Sequence, residues 1–201
     1  MPRHIDYYVS LMSPWTYLGS ARFEALAAKH GATVTIWPVD FGQVFPASGG
    51  LPLVKRAPQR QAYRMMELKR WRAHLGVPIN LEPKFFPGNE LPAARSVIAV
   101  REKVDGAKAI TLAHAVLRGV WEEDKDVGNA GTLAGIIAGV GLDPKQVLAL
   151  SETPEIVGRR EADTKRAIDL SVFGAPSYVI DGEIFWGQDR LEFVDRKLAA
   201  G

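Results

Sequence analysis

A short strand-like run, Ile5-Asp6-Tyr7-Tyr8-Val9, feeds the turn Ser13-Pro14-Trp15-Thr16, which opens a long helical stretch over residues 17–29. This junction restricts the fold more than any other segment. Serine is a favoured helix N-cap because its oxygen accepts from an exposed N–H of the first turn. Proline at the first helical position gives up only an N–H that would be orphaned anyway. The free N–H groups and the positive end of the helix dipole favour an anion just outside, and a serine hydroxyl adds a donor. Serine is a weak nucleophile without a base, and the nearest histidine in sequence, His4, lies at the far end of the strand. Ser13 therefore reads either as a plain Ser-Pro cap or as a group that stabilises a thiolate brought by a cofactor.

The chain has no cysteine, so it forms no disulfide, has no thiolate zinc ligand and performs no dithiol chemistry of its own. Four scattered histidines, His4, His30, His74 and His114, show no metal-ligand spacing. A net charge of +2 is too small to argue for nucleic acid. No apolar run follows Met1-Pro2-Arg3-His4, so a cytoplasmic protein without a membrane partner is expected. At 201 residues there is room for one large domain or for a domain carrying an insertion.

Gly31 is a stop signal for the first helix, and Thr33-Val34-Thr35-Ile36-Trp37-Pro38-Val39 reads as a second strand. Residues 42–60, rich in Gly, Pro and Ser, read as loop. Apolar stripes at Met65, Leu68, Trp71 and Leu75, and at Leu91, Ala94, Val97, Ile98 and Val104, predict helices. Helical patterns continue over 107–124, 130–140, 143–150 and 154–171. Strands return at Ser177-Tyr178-Val179-Ile180 and Glu183-Ile184-Phe185-Trp186, joined by Asp181-Gly182, a strong hairpin pair, and a last helix fits 190–199. The order is βαβ, then helices, then ββα.

A strand followed by a helix that begins X-Pro-aromatic-X is where thioredoxin-like oxidoreductases place Cys-x-x-Cys; here both sulfur positions are hydroxyls. The predicted fold is α/β, thioredoxin-like, with residues 1–45 and 172–201 forming that unit and 46–171 an inserted all-helical domain. Pro176, just before the third strand, matches a proline that is cis in such folds.

Together, Ser13-Pro14-Trp15-Thr16-Tyr17-Leu18-Gly19, Phe173-Gly174-Ala175-Pro176 and Phe185-Trp186-Gly187-Gln188-Asp189-Arg190-Leu191 resemble the 2-hydroxychromene-2-carboxylate isomerases. These are relatives of kappa-class glutathione transferases within the DsbA-type thioredoxin superfamily. The resemblance implies glutathione as cofactor, with Ser13 at its sulfur, Ala175 and Pro176 along its cysteinyl part, and Trp186, Gly187, Gln188 and Asp189 at its γ-glutamyl end. The family's usual Gly-Asn pair reads Gly49-Gly50, so the asparagine contact is absent. The implied reaction is cis-trans isomerisation of an aromatic carboxylate in aromatic catabolism, by reversible thiolate addition to a conjugated double bond. Lys55 and Arg56 are proposed for the substrate carboxylate, Trp15, Phe45 and Phe86 for the apolar wall, and Asn89 for a polar contact. A homodimer is implied as well. A kappa-like transferase or peroxidase is the second reading, and a non-catalytic binding protein for aromatic acids or thiol conjugates the third.

Several features carry plainer expectations. The basic run Lys55, Arg56, Arg60, Arg64, Lys69, Arg70 and Arg72 reads as a solvated helix face. Gly131, Gly135 and Gly139 read as close helix packing, since their uncharged run is too short to span a membrane. His114 reads as a satisfied helix residue, and Asp6 and Asp40 as strand-end carboxylates facing water.

Overall fold

The computed structural model describes residues 3–200. Strand β1 (His4–Val9) lies at the centre of a four-stranded sheet. It pairs in parallel with β2 (Thr33–Pro38) and antiparallel with β3 (Ser177–Ile180), which pairs antiparallel with the edge strand β4 (Glu183–Trp186). The parallel pair is connected by α1 (Pro14–Lys29), and Gly31 (φ +58°) ends that helix as expected. Asp181 (φ +52°) and Gly182 (φ +81°) form the turn of the β3–β4 hairpin, the left-handed pair that matches strand twist.

Alternation along β1 divides the interior. Ile5, Tyr7 and Val9 face one apolar cluster, and Tyr8 the other. On the first face Tyr7 stacks on Tyr178, its register partner, at 5.3 Å, and both meet Phe23 of α1. On the second, Tyr8 stacks on Trp37 at 6.0 Å.

Between β2 and β3 the chain is largely helical: α2 (Phe41–Ser48), α3 (Pro58–Leu75), α4 (Leu91–Lys103), α5 (Gly106–Trp121), α6 (Ala130–Gly139), α7 (Pro144–Ser151) and α8 (Pro154–Asp169). A short 3-10 turn, Leu53–Lys55, precedes α3. After β4, a second one, Gln188–Arg190, leads into α9 (Leu191–Ala199). Helix α4 packs against α5, α7, α8 and β2, which is why almost its whole middle, from Ala93 through Val100, is buried.

Four expectations are corrected. The segment 42–60 is not all loop, because Asp40 caps α2 by accepting from Gly42 N at 2.9 Å, and Phe41 and Val44 are buried. Local composition loses to that cap and that burial. Gly135 and Gly139 do not pack closely, since nothing lies within 4 Å of a Cβ built on either; α6 buries Leu133, Ile136 and Ile137 instead. Val104 lies beyond the stripe of α4, as its exposed C-cap. Asp6 and Asp40 are engaged rather than left to water: Asp6 accepts from Trp37 Nε1 at 2.8 Å and Arg166 Nη2 at 3.0 Å, and Asp40 pairs with Arg160 at 3.3 Å. Among the described residues no helix is long and apolar enough to cross a membrane.

Candidate active site

Ser13 is the N-cap of α1, with extended backbone (φ −84°, ψ 119°) and Pro14 at the first helical position. Its Oγ accepts from Thr16 N at 3.2 Å, and its single hydroxyl proton points to the Ala175 carbonyl at 3.4 Å. No acidic residue lies in the first turn to offset the positive end of the helix dipole. Across from it the Ala175–Pro176 bond is cis, as expected, and so is Phe86–Pro87, which carried no sequence signal.

The second motif is seated by close approach. Gly187 N donates to Pro176 O at 2.9 Å, and Gly187 has φ +103°, a conformation open to glycine. Gly174 lies so close to the Trp186 indole that a Cβ there would collide with the ring. Half-exposed Trp186 pairs with exposed Phe173 at 4.8 Å, so an aromatic platform stands beside Ala175. Ser13, Ala175, Pro176, Trp186 and Gly187 are thus brought together.

Gln188 turns the other way. It is buried with its Cβ against Gly19, and its backbone and side-chain carbonyls both accept from Arg22 Nη2. Asp189 is exposed and pairs with Arg190 at 2.6 Å.

Of the residues assigned to substrate, Trp15 lies in the first turn of α1, Phe45 in α2, Lys55 and Arg56 at the end of the 3-10 turn before α3, and Phe86 and Asn89 in the segment before α4. Phe45 packs against Phe41 at 5.6 Å, in the cluster that also takes Ala175. Its ring fills the space a side chain at position 50 would enter, with a Cβ on Gly50 falling 2.7 Å from Phe45 Cδ1. That is the physical reason for glycine there. Arg56 lies over the same ring at 5.9 Å and donates from Nε to Leu51 O at 2.8 Å; burial, and then Arg60, lower its pKa. Lys55 is exposed. Trp15 and Phe86 are half-buried against the main core, with Phe86 at 4.9 Å from Trp121. Asn89 is exposed, and its Oδ1 accepts from Leu91 N at 3.0 Å at the start of α4.

Three side chains join the site that sequence reasoning missed. Glu90 reaches back to the loop before Ser13, where its Oε2 accepts from Ser10 Oγ at 2.8 Å and Met12 N at 3.1 Å. Burial pushes its pKa up against those hydrogen bonds, which favours the neutral form and limits negative charge near the helix end. Arg22 holds the turn after Gly187. Arg64 lies over Phe86 at 5.3 Å. Arg64 had a signal in the basic run, but nothing in that run separates it from its solvated neighbours. Elsewhere, His114 pairs with Glu24 at 3.2 Å and lies away from Ser13 on the Tyr7 side of the core. A surface recess of about 630 Å³ lies beside the C-terminal end of α3 between Lys69 and Leu81, and none of the motif residues lines it.

Comparison with known proteins agrees with this fold. A 2-hydroxychromene-2-carboxylate isomerase of Sphingobium xenophagum is 28% identical over 199 residues, 98% of this chain and 99% of that protein. Glutathione S-transferase kappa 1 of Caenorhabditis elegans is 24% identical, over 96% of this chain and 89% of its own. A solved structure of 2-hydroxychromene-2-carboxylate isomerase superposes with a TM-score of 0.78 at 23% identity, covering 98% of this chain and 95% of that one. The DSBA-like thioredoxin domain matches residues 4–199, and the chain belongs to that family.

Proposed function

We propose that this protein is a glutathione-dependent cis-trans isomerase of the 2-hydroxychromene-2-carboxylate type, acting in the cytoplasm as a homodimer. One observation carries the reading: a serine hydroxyl at an uncompensated helix start, 3.4 Å from the carbonyl before a cis-proline, in a chain with no cysteine. The site is arranged to receive a thiolate and has none of its own. The relatives named as isomerases and as a kappa transferase support the two halves of the reading, the reaction and the cofactor.

The residues fit glutathione. Among the described residues no acceptor takes the Ala175 N–H, the carbonyl of the same residue faces Ser13, and an extended peptide pairs with such a backbone edge. Glutathione, when bound, supplies a thiolate that adds reversibly to a double bond conjugated with a ketone and so frees that bond to rotate. The chain's own part is electrostatic and spatial. Ser13 and the first-turn N–H groups favour the ionised thiol. Trp186 and Phe173 would cover the ligand on one side, Asp189 would take an ammonium on the oxygen that Arg190 leaves free, and Phe45 and Phe86 offer flat apolar contact to an aromatic ring.

Calorimetric titration with glutathione, in wild type and in Ser13→Ala, tests the reading, together with turnover of 2-hydroxychromene-2-carboxylate with and without glutathione. Binding, glutathione-dependent turnover and a roughly hundredfold lower kcat in Ser13→Ala are expected. Ser13→Gly separates cap from chemistry: it loses the same rate but only a few tenths of a kcal/mol of stability, against about 1 kcal/mol for alanine. Absence of binding at millimolar glutathione would falsify the reading. Glutathione consumed in step with product would instead establish the transferase alternative, to which the kappa-class relative lends weight.

A further inference from the structure

Two guanidinium groups stand on the wall of this site without an internal counter-charge. The guanidinium carbon of Arg64 lies 5.3 Å from the centroid of Phe86. Its polar neighbour is Met65 Sδ, 3.7 Å from Nη1, a weak acceptor. Its Nη2 is sealed from solvent and has no acceptor among the described residues. Burial first, and Arg56 second, bring its pKa down to about 10, so the group stays charged near neutrality. The carboxylate on its own helix, Glu67, is taken by Arg70. Of the two carboxylates that flank Phe86 in sequence, Glu90 is held by Ser10 and Met12, and Glu82 is exposed.

The two cations lie over different rings. Arg56 lies over Phe45, which shares a cluster with Ala175. Arg64 lies over Phe86, which shares a cluster with Met12 and Trp15, and the Met12 methyl rests near Gly88, two residues on. Arg56 is close enough to disfavour the protonated form of Arg64. Each is mounted on a ring, so a ligand that brings an anion and a flat apolar body together satisfies both the charge and the surface. A free phosphate satisfies only the charge.

We propose that Arg64, with Arg56 beside it, seats the carboxylate of the small-molecule substrate, an aromatic acid whose ring lies along Phe86. Describing that acid as the substrate rests on the function proposed above, whereas the seat itself needs no glutathione. Arg64 is thereby the residue that selects for the acid, and Lys55, exposed on its 3-10 turn, is dispensable.

The test is equilibrium binding of trans-cinnamate and of its neutral amide, cinnamide, to wild type, Arg64→Met, Arg64→Lys and Lys55→Ala. Wild type is expected to prefer the acid at least tenfold. Arg64→Met loses that preference with cinnamide binding unchanged. Arg64→Lys, which restores charge but not the fork, recovers part of it, and Lys55→Ala retains it all. Equal binding of acid and amide by wild type overturns the proposal. So does a preference that survives Arg64→Met, or an equal fall for both ligands, which would mark a packing role. Should Arg64→Met fail to fold, the acid-to-amide ratio in Arg64→Lys carries the decision, and an undiminished ratio there overturns the assignment. Glutathione titrated into the same samples separates the two ideas: acid preference without glutathione binding sinks the thiol reading and leaves the seat standing, and the reverse result does the opposite.

Discussion

Arg101 and Arg64 make the same contact and serve opposite ends. Each lays its guanidinium on an aromatic face, Arg101 on Trp37 at 4.4 Å and Arg64 on Phe86 at 5.3 Å. Arg101 also donates to Asp163 at 2.7 Å and to the Ile36 carbonyl at 2.9 Å, with both charged side chains almost wholly buried. Its charge is balanced within the fold, and the pair braces α4, β2 and α8. Arg64 meets no carboxylate, and its balance has to come from outside. A buried cation with its anion is a brace; a half-buried cation without one keeps its charge available to a ligand.

The largest effect that tests this contrast is Asp163→Ala, which removes the buried carboxylate from Arg101 Nη2 and leaves the guanidinium only the carboxylate of Glu102, on Nε at 2.9 Å. Its urea midpoint should report a loss of about 3–5 kcal/mol, and a loss under about 1 kcal/mol would erase the distinction. Next comes Glu90→Gln, read as stability against pH. Burial raises the Glu90 pKa, so the folded state holds its proton more tightly than the unfolded chain does. Its contribution is therefore complete below the unfolded value of about 4.3 and declines as pH rises through the folded value. Glu90→Gln should flatten that decline and be relatively more stable than wild type at neutral pH than at pH 4; parallel curves would mean that Glu90 is solvated. Arg64→Met should leave the unfolding midpoint within about 1 kcal/mol of wild type, because no internal partner is orphaned. A loss above about 2 kcal/mol would make Arg64 a second brace. The exposed pair Lys165–Asp169 sets the floor: Lys165→Ala should change stability by less than about 0.5 kcal/mol, detectable only by chemical denaturation in replicate.

What could be read from sequence follows the range over which each feature is determined. The Ser13 cap, the Gly31 stop and the Asp181-Gly182 turn depend on neighbours a few residues away, and each is found as expected. Helix α2 was hidden because its Gly, Pro and Ser content argues for loop, while Asp40 and two buried side chains argue for helix. The glycines of α6 misled in the opposite sense, since small residues at four-residue spacing permit close packing without requiring it. Arg64 was lost in a basic run because only Phe86, far along the chain, distinguishes it. Asp6 looked like a strand-end carboxylate until Trp37 and Arg166 were beside it. The base of the site is written in backbone-forming residues, and its wall in side chains that meet only after folding.

The adjacent tyrosines of β1 carry one more consequence. Tyr7 and Tyr8 serve different interiors, one against Phe23 and Tyr178, the other against Trp37. Inserting or deleting a single residue in this strand would exchange their faces and turn two cores inside out at once. Point substitutions at exposed His4 are tolerable by comparison. Variation in this strand can therefore alter letters but not their number, and the count of residues from His4 to Ser13 is held fixed by packing on both faces of the sheet.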